Sequence, residues 1–192
     1  MSYRPITDTW ILARAKLLGG RKYYGAYPGG FPERARALLG VTINDPVLHV
    51  CGGMSRFYPY KGGFGPKDCT LDLDPATEPT YLQDAREPFP GGHAGIFRET
   101  EAGWPAILID PPYSEVDAEE YVPGKAAYPS PNGLLKHALE AVRPGGRVGL
   151  LHYILPQPPK GIECKFIACV GVIVGFNNRI RVFSVFERTV TP

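Results

Sequence analysis

Ala106-Ile107-Leu108-Ile109-Asp110-Pro111-Pro112-Tyr113 is an apolar run that ends in an acid, two prolines and an aromatic ring. Four apolar residues before Asp110 predict a parallel strand covered on both faces, since such strands have no polar side to alternate with. The prolines have no N–H for a ladder and hold φ at about −65°, so the backbone beyond the strand is stiff and its carbonyls point in set directions. The stretch reads as a buried strand delivering a catalytic loop, in which an acceptor and a ring are held in fixed relation.

The segments on either side extend an α/β pattern. Residues 46–53 are a short apolar strand running into Gly52-Gly53, where backbone can approach a ligand closely. Residues 69–75 form a second strand ending in Asp72 and Asp74. An acid at such a strand end accepts hydrogen bonds from ribose hydroxyls in nucleotide-binding folds. Asp72 is the first choice for that role, and Asp74 the alternative if the strand ends slightly later. Residues 81–90 follow, with Asp84 as their acid. Ser130 and Pro131 then provide a cap and a first-turn proline for a helix over residues 132–142, which Arg143-Pro144-Gly145-Gly146 ends. Another buried strand covers 147–154, and two apolar runs around Phe176-Asn177-Asn178 predict a hairpin. Residues 57–66 carry too much glycine and proline for a helix, and 156–161 predict an extended loop. Near the N-terminus, Thr7 predicts a helix over 7–18 and Pro32 another over 32–39.

In order and type, these residues resemble class I methyltransferases that use S-adenosylmethionine (SAM) to methylate exocyclic amines of bases. The likeness is to the Asp-Pro-Pro-Tyr type, which includes N6-adenine DNA methyltransferases, in a minimal form without an obvious target-recognition domain. It implies a Rossmann-like, mostly parallel twisted sheet with helices on both faces, a C-terminal antiparallel hairpin and some helices replaced by loops. The implied catalytic residues are Asp110, Pro111, Pro112 and Tyr113. Asp110 and the Pro111 carbonyl would accept hydrogen bonds from the amine, favouring a tetrahedral nitrogen, and Tyr113 would stack on a base extruded from its duplex. The implied cofactor-binding set is Tyr24, His49, Cys51, Gly52, Gly53, Asp72, Leu73, Asp84, Ala85 and Asp110. His49 either meets SAM or is satisfied by a neighbour. The implied substrate is adenine N6 in DNA. The alternatives are cytosine N4, an RNA adenine or guanine amine, or a non-catalytic SAM-binding or nucleic-acid-binding subunit.

Composition sets the limits. A chain of 192 residues suffices for one sizeable core, so a single domain is expected, with residues 1–40 a basic helical arm and 41–192 the catalytic core. The 23 glycines and 21 prolines punctuate apolar strands and form no low-complexity tract. No run of about 18 apolar residues and no secretory start is visible, so a soluble cytoplasmic protein away from membranes is expected. The four cysteines and four histidines show no zinc-ligand spacing, and no metal is expected. The net charge of +2 is uneven: residues 1–40 carry seven basic side chains against Asp8 and Glu33. Within them, 21–28 interleave basic and aromatic residues in a way that suits phosphates and bases. A nucleic-acid partner is therefore expected, DNA before RNA. Sequence readout would fall to short loops, the basic arm, a homo-oligomer or a separate specificity subunit. Glu115, Asp117, Glu119 and Glu120 predict an acidic lid loop after Tyr113.

Overall fold

Strand β5 (Trp104–Ile109) is buried along its whole length, as an apolar run covered on both faces must be. It belongs to an eight-stranded sheet in a computed structural model that describes residues 3–14, 27–58, 62–91, 103–121, 124, 128–175 and 179–189. The other strands are β1 (Ile6–Leu12), β2 (Val47–Val50), β3 (Cys69–Asp72), β4 (Tyr81–Leu82), β6 (Val142–His152), β7 (Cys164–Val174) and β8 (Ile180–Arg188). Their spatial order is β1-β7-β8-β6-β5-β2-β3-β4. β8 runs antiparallel to β6 and β7, and every other pair is parallel. The fold is the Rossmann-like, mostly parallel α/β class expected from the sequence, with its C-terminal antiparallel hairpin.

Helices α1 (Phe31–Leu39) and α3 (Pro131–Ala141) cover opposite faces. Because side chains alternate along a strand, Ala106 and Leu108 of β5 meet Phe31, Ala35 and Leu39 of α1, while Ile107 and Ile109 meet Leu134, Leu135 and Leu139 of α3. Ser130 caps α3 by accepting from the Gly133 N–H at 3.2 Å, with Pro131 in the first turn. α3 ends at Ala141, and residues 143–146 form an irregularity between β5 and β6 in which Gly145 takes a φ of 75°. After β2 the described residues form a 3-10 turn, Ser55–Phe57, and no helix over 62–66, with 59–61 outside the described set, and residues 156–161 have no regular structure. Both stretches agree with the expected loops.

Two expectations fail. Residues 7–12 belong to β1, so the expected helix over 7–18 does not form there; residues 15–26 lie outside the described set. Ile6-Thr7-Asp8-Thr9-Trp10-Ile11-Leu12 is rich in β-branched residues, and Trp10 and Leu12 turn inward while Ile11 is 77% exposed. That is a period of two, which packs in a strand and not in a helix. β1 pairs in parallel with β7 over its full length. The acidic stretch after Tyr113 is likewise no loop but helix α2 (Glu115–Tyr121). Ser114 Oγ caps the helix by accepting from the Asp117 N–H at 3.1 Å, and its hydroxyl donates to Asp117 Oδ2 at 2.8 Å. Acids in the first turn also oppose the helix dipole.

Candidate active site

From β2 the chain steps to β3 and β4 on one side of the sheet, and from β5 to β6 on the other. The order reverses between β2 and β5, and open α/β sheets bind ligands outside the carboxyl ends of strands at such a reversal. Val50 and Ile109, the last residues of the two strands, stand side by side. The segments that leave them, 51–53 and 110–113, therefore flank one crevice. The Asp110 N–H donates to the Val50 carbonyl at 3.2 Å and ties the two together.

The loop after β2 is built by backbone. Cys51 and Gly53 take φ values of 52° and 48°, and the Cys51 and Gly52 N–H groups converge on the Leu71 carbonyl at 2.8 and 3.4 Å. A Cβ on Gly52 would stand 2.9 Å from the His49 carbonyl oxygen, so this position excludes any side chain. Gly53 N–H donates to Asp72 Oδ2 at 2.9 Å, and Asp72 Oδ1 accepts from the Asp74 N–H at 3.0 Å. Asp72 is thus half-buried against the glycine loop, and burial raises its carboxyl pKa. Asp74 points elsewhere and caps the 3-10 turn Pro75–Thr77 through the Ala76 N–H. Ser55 Oγ is buried near Gly52 without a partner among the described residues.

Farther along, Asp84 is gripped by Arg86, whose Nε and Nη2 donate to its oxygens at 3.0 and 2.6 Å and hold its carboxyl below the usual range. Leu73 is half-buried, and Ala85 is buried in the core beneath this loop. Tyr24 lies outside the described residues. His49 is buried with both ring nitrogens occupied: Nδ1 lies 3.2 Å from the Tyr27 hydroxyl and Nε2 3.1 Å from Asp68 Oδ2. The second of its two anticipated fates, a histidine satisfied by neighbours, is the one realised. Asp68 also pairs with buried Arg36 and accepts from the Val47 and Gly65 N–H groups. Burial pushes its carboxyl upward, but His49, Arg36 and the Gly65 N–H together hold it below the ordinary value.

The sharpest chemistry is at the end of β5. Burial raises the Asp110 carboxyl to about 6 even though Arg181 and a Tyr113 hydrogen bond pull it down. Tyr113 donates its hydroxyl to Asp110 Oδ1 at 2.5 Å. Its ring lies 4.6 Å from that of Tyr153 and 5.4 Å, edge to face, from that of His152. Arg181, at the start of β8, places its guanidinium carbon 5.1 Å from the Tyr113 ring centre. Burial lowers the His152 pKa to about 4, and its Nδ1 accepts from the Ile154 N–H at 2.9 Å, so the ring is neutral with its proton on Nε2. Cys51 and Tyr27, whose acidities Asp110 also weakens, are neutral as well. The result is a half-buried ionisable carboxylate at the end of β5, ringed by aromatic side chains and with a cation beside it.

The structure brings together Cys51, Gly52, Gly53, Asp72 and the 110–113 segment, and holds His49 buried between Tyr27 and Asp68. Sequence reasoning missed Ser55, His152, Tyr153 and Arg181. His152 and Tyr153 end a strand that was expected, and strand ends at the reversal are where ligands bind, so a signal for them existed. Arg181 had none, because β8 is brought beside residue 113 by antiparallel pairing with β6.

The chain matches no protein-family model and no curated protein. Among solved structures it is similar to TrmN from Thermus thermophilus, with a TM-score of 0.48, 18% identity, and coverage of 85% of this chain and 50% of that one. The chain therefore spans half the length of TrmN. A putative methylase from Haemophilus influenzae aligns with a TM-score of 0.48 and 9% identity over 82% of this chain and 87% of that one. The M. jannaschii tRNA m1G37 methyltransferase aligns with a TM-score of 0.44 and 15% identity over 83% of this chain and 49% of that one.

Proposed function

We propose that this chain transfers the methyl group of SAM to an exocyclic amine of a nucleic-acid base, with adenine N6 in DNA as the first substrate to test and the whole chain acting as one methyltransferase domain. The observation that carries this reading is the half-buried Asp110 carboxylate at the sheet reversal, followed by two stiffening prolines and an aromatic ring. A conjugated amine is a weak nucleophile, and two acceptors fixed in space favour the geometry in which its lone pair is free. Asp110 and the Pro111 carbonyl are the acceptors. Tyr113 holds one Asp110 oxygen through its hydroxyl, so an incoming amine either takes the other oxygen or displaces that hydroxyl. As nitrogen gains the methyl group it loses a proton, and the Asp110 carboxylate, ionised above pH about 6, is placed to accept it.

The cofactor, when bound, supplies an electrophilic methyl sulfonium. The residues beside the glycine loop fit such a group. Asp72 accepts backbone N–H groups from Gly53, Asp74 and Leu73, and the roughly four lone-pair sites of a carboxylate still leave room for a ribose hydroxyl, while Ser55 Oγ has no partner among the described residues. Asp84 would meet the adenine amine while it keeps its Arg86 partner.

The test is incubation with methyl-labelled SAM and a panel of duplex DNA, single-stranded DNA, RNA and free nucleotides, followed by identification of the labelled nucleoside. The expected product is a base methylated on an exocyclic amine. Asp110→Ala should lower the rate by about 100- to 1000-fold, the size of a lost hydrogen bond at a developing charge. Near wild-type turnover in that variant, or no label on any member of the panel, would overturn the proposal.

A further inference from the structure

Arg181 is the second residue of β8, one position before Val182, which pairs with His152. It is half-buried, its Nε is fully enclosed without a partner among the described residues, and it shares a hydrogen bond with Tyr153. A guanidinium in such a place loses water, and its planar cation is best compensated by an aromatic face and a nearby anion. Both are present: the Tyr113 ring lies 5.1 Å away, and the Asp110 carboxylate lies within the reach of its charge.

We propose that Arg181 is the positioning residue of the 110–113 loop, clamping the Tyr113 ring against Tyr153 and setting a permanent positive charge opposite the Asp110 carboxylate. A catalytic role for that loop rests on the methyltransferase reading; the clamp does not. Among the described residues, the Tyr113 hydroxyl from its own loop bonds Asp110, and Cys51 from the loop after β2, Tyr27 from the segment before α1 and Arg181 from β8 lie close enough to feel its charge. The first three are neutral near pH 7, because burial and Asp110 itself disfavour their ionised forms. Among the described residues Arg181 is therefore the cation that lowers the Asp110 carboxyl against the larger, opposing effect of burial, and its guanidinium lies over the Tyr113 ring whose hydroxyl holds that carboxyl.

The test is a carbon-detected NMR titration of the Asp110 carboxyl in the intact chain, without cofactor or substrate. The wild-type midpoint should lie at about 6. Arg181→Gln should raise it by about 1 unit or more, as removal of a close opposite charge does, and Arg181→Lys should return it most of the way. Arg181→Met, which keeps the apolar stem, serves if the glutamine variant does not fold. In wild type itself the Arg181 Nε–H resonance should move with the Asp110 midpoint, a readout that needs no variant. An unmoved midpoint in a folded neutral variant, or an Arg181 resonance indifferent to Asp110, overturns the clamp. Once a substrate is known, the acid limb of kcat should move upward in Arg181→Gln by the same amount. A chain that titrates as expected yet labels no substrate would sink the methyltransferase reading alone, and an active enzyme with an unmoved midpoint would sink the clamp alone.

Discussion

Asp110 and His152 stand on either side of Tyr113 and titrate in opposite senses. Asp110 is raised from 3.8 to about 6 by burial, so the folded chain binds more protons than the unfolded one in that interval. Its contribution to stability is present below pH about 4 and is lost as pH rises toward 6. His152 is lowered from 6.5 to about 4, again by burial. Its contribution is present above pH 6.5 and is lost as pH falls toward 4. The two slopes oppose each other, each at most about 1.4 kcal/mol per pH unit. Relative to wild type, Asp110→Asn should therefore make stability rise more steeply with pH between 4 and 6.5, and His152→Gln should make it fall. Urea unfolding at three pH values in that window measures both. Equal slopes in all three proteins would mean that neither group is shifted as described. Residue detail also revises the charge count: Arg36, one of the seven basic side chains of residues 1–40, is buried against Asp68 and is withdrawn from any phosphate-binding surface.

At the level of elements, the contact between β6, β8 and α1 is filled to the last methyl group. Gly149 in β6 faces Phe183 of β8, and a Cβ there would lie 2.6 Å from Phe183 Cζ and 3.3 Å from Leu39 Cδ2. Phe183 is fully buried and already packed edge to face on Phe31, with ring centres 5.0 Å apart, so it has nowhere to retreat. Gly149→Ala should destabilise by about 1 to 3 kcal/mol through overpacking. A shift in the urea midpoint checks it, and Gly149→Ala with Phe183→Leu should recover part of the loss. A neutral single variant would show that this layer can yield. The two elements misjudged from sequence erred in opposite directions, β1 expected as a helix and α2 as a loop. Thr7 and Ser114 are both hydroxyl residues that suit a helix cap, and only Ser114 has an acid three places on, whose backbone N–H it caps and whose carboxylate holds its hydroxyl. Thr7 has Trp10 there instead, and Trp10 packs into the core.

Across the whole molecule, β1 carries the sheet past the hairpin to its far edge. Trp10 is the anchor, with ring centres 6.2 Å from Phe31 and 6.0 Å from Phe183. It joins the N-terminal strand, the first helix and the last strand in one aromatic cluster. Trp10→Ala should cost about 3 to 5 kcal/mol and leave the β7 edge poorly covered, an exposed edge being a template for association. Chemical denaturation gives the first quantity, and light scattering on mild warming reports the second. A loss below about 1 kcal/mol would mean that β1 is an accessory strand. No described helix is long and apolar enough to cross a membrane.

The amino-acid sequence by itself determined the central sheet. Each of β2, β3 and β5 is a short, mostly apolar run ended by glycine, acid or proline, the second half of β6 is an apolar run after the Pro-Gly-Gly turn, and α3 has its cap and first-turn proline adjacent in the chain. The crevice was legible for the same reason, since Gly52, Gly53, Asp72 and Asp110 all lie at ends of strands whose periodicity is visible without partners. Only the tertiary structure decided how the charges are used. Whether His49 meets a ligand or Asp68, whether Arg36 is surface or core, and whether a cation stands over Tyr113 all depend on residues far apart in sequence. Burial and proximity, which set those pKa shifts and pairings, are properties of the packed chain and leave no local trace in the order of residues.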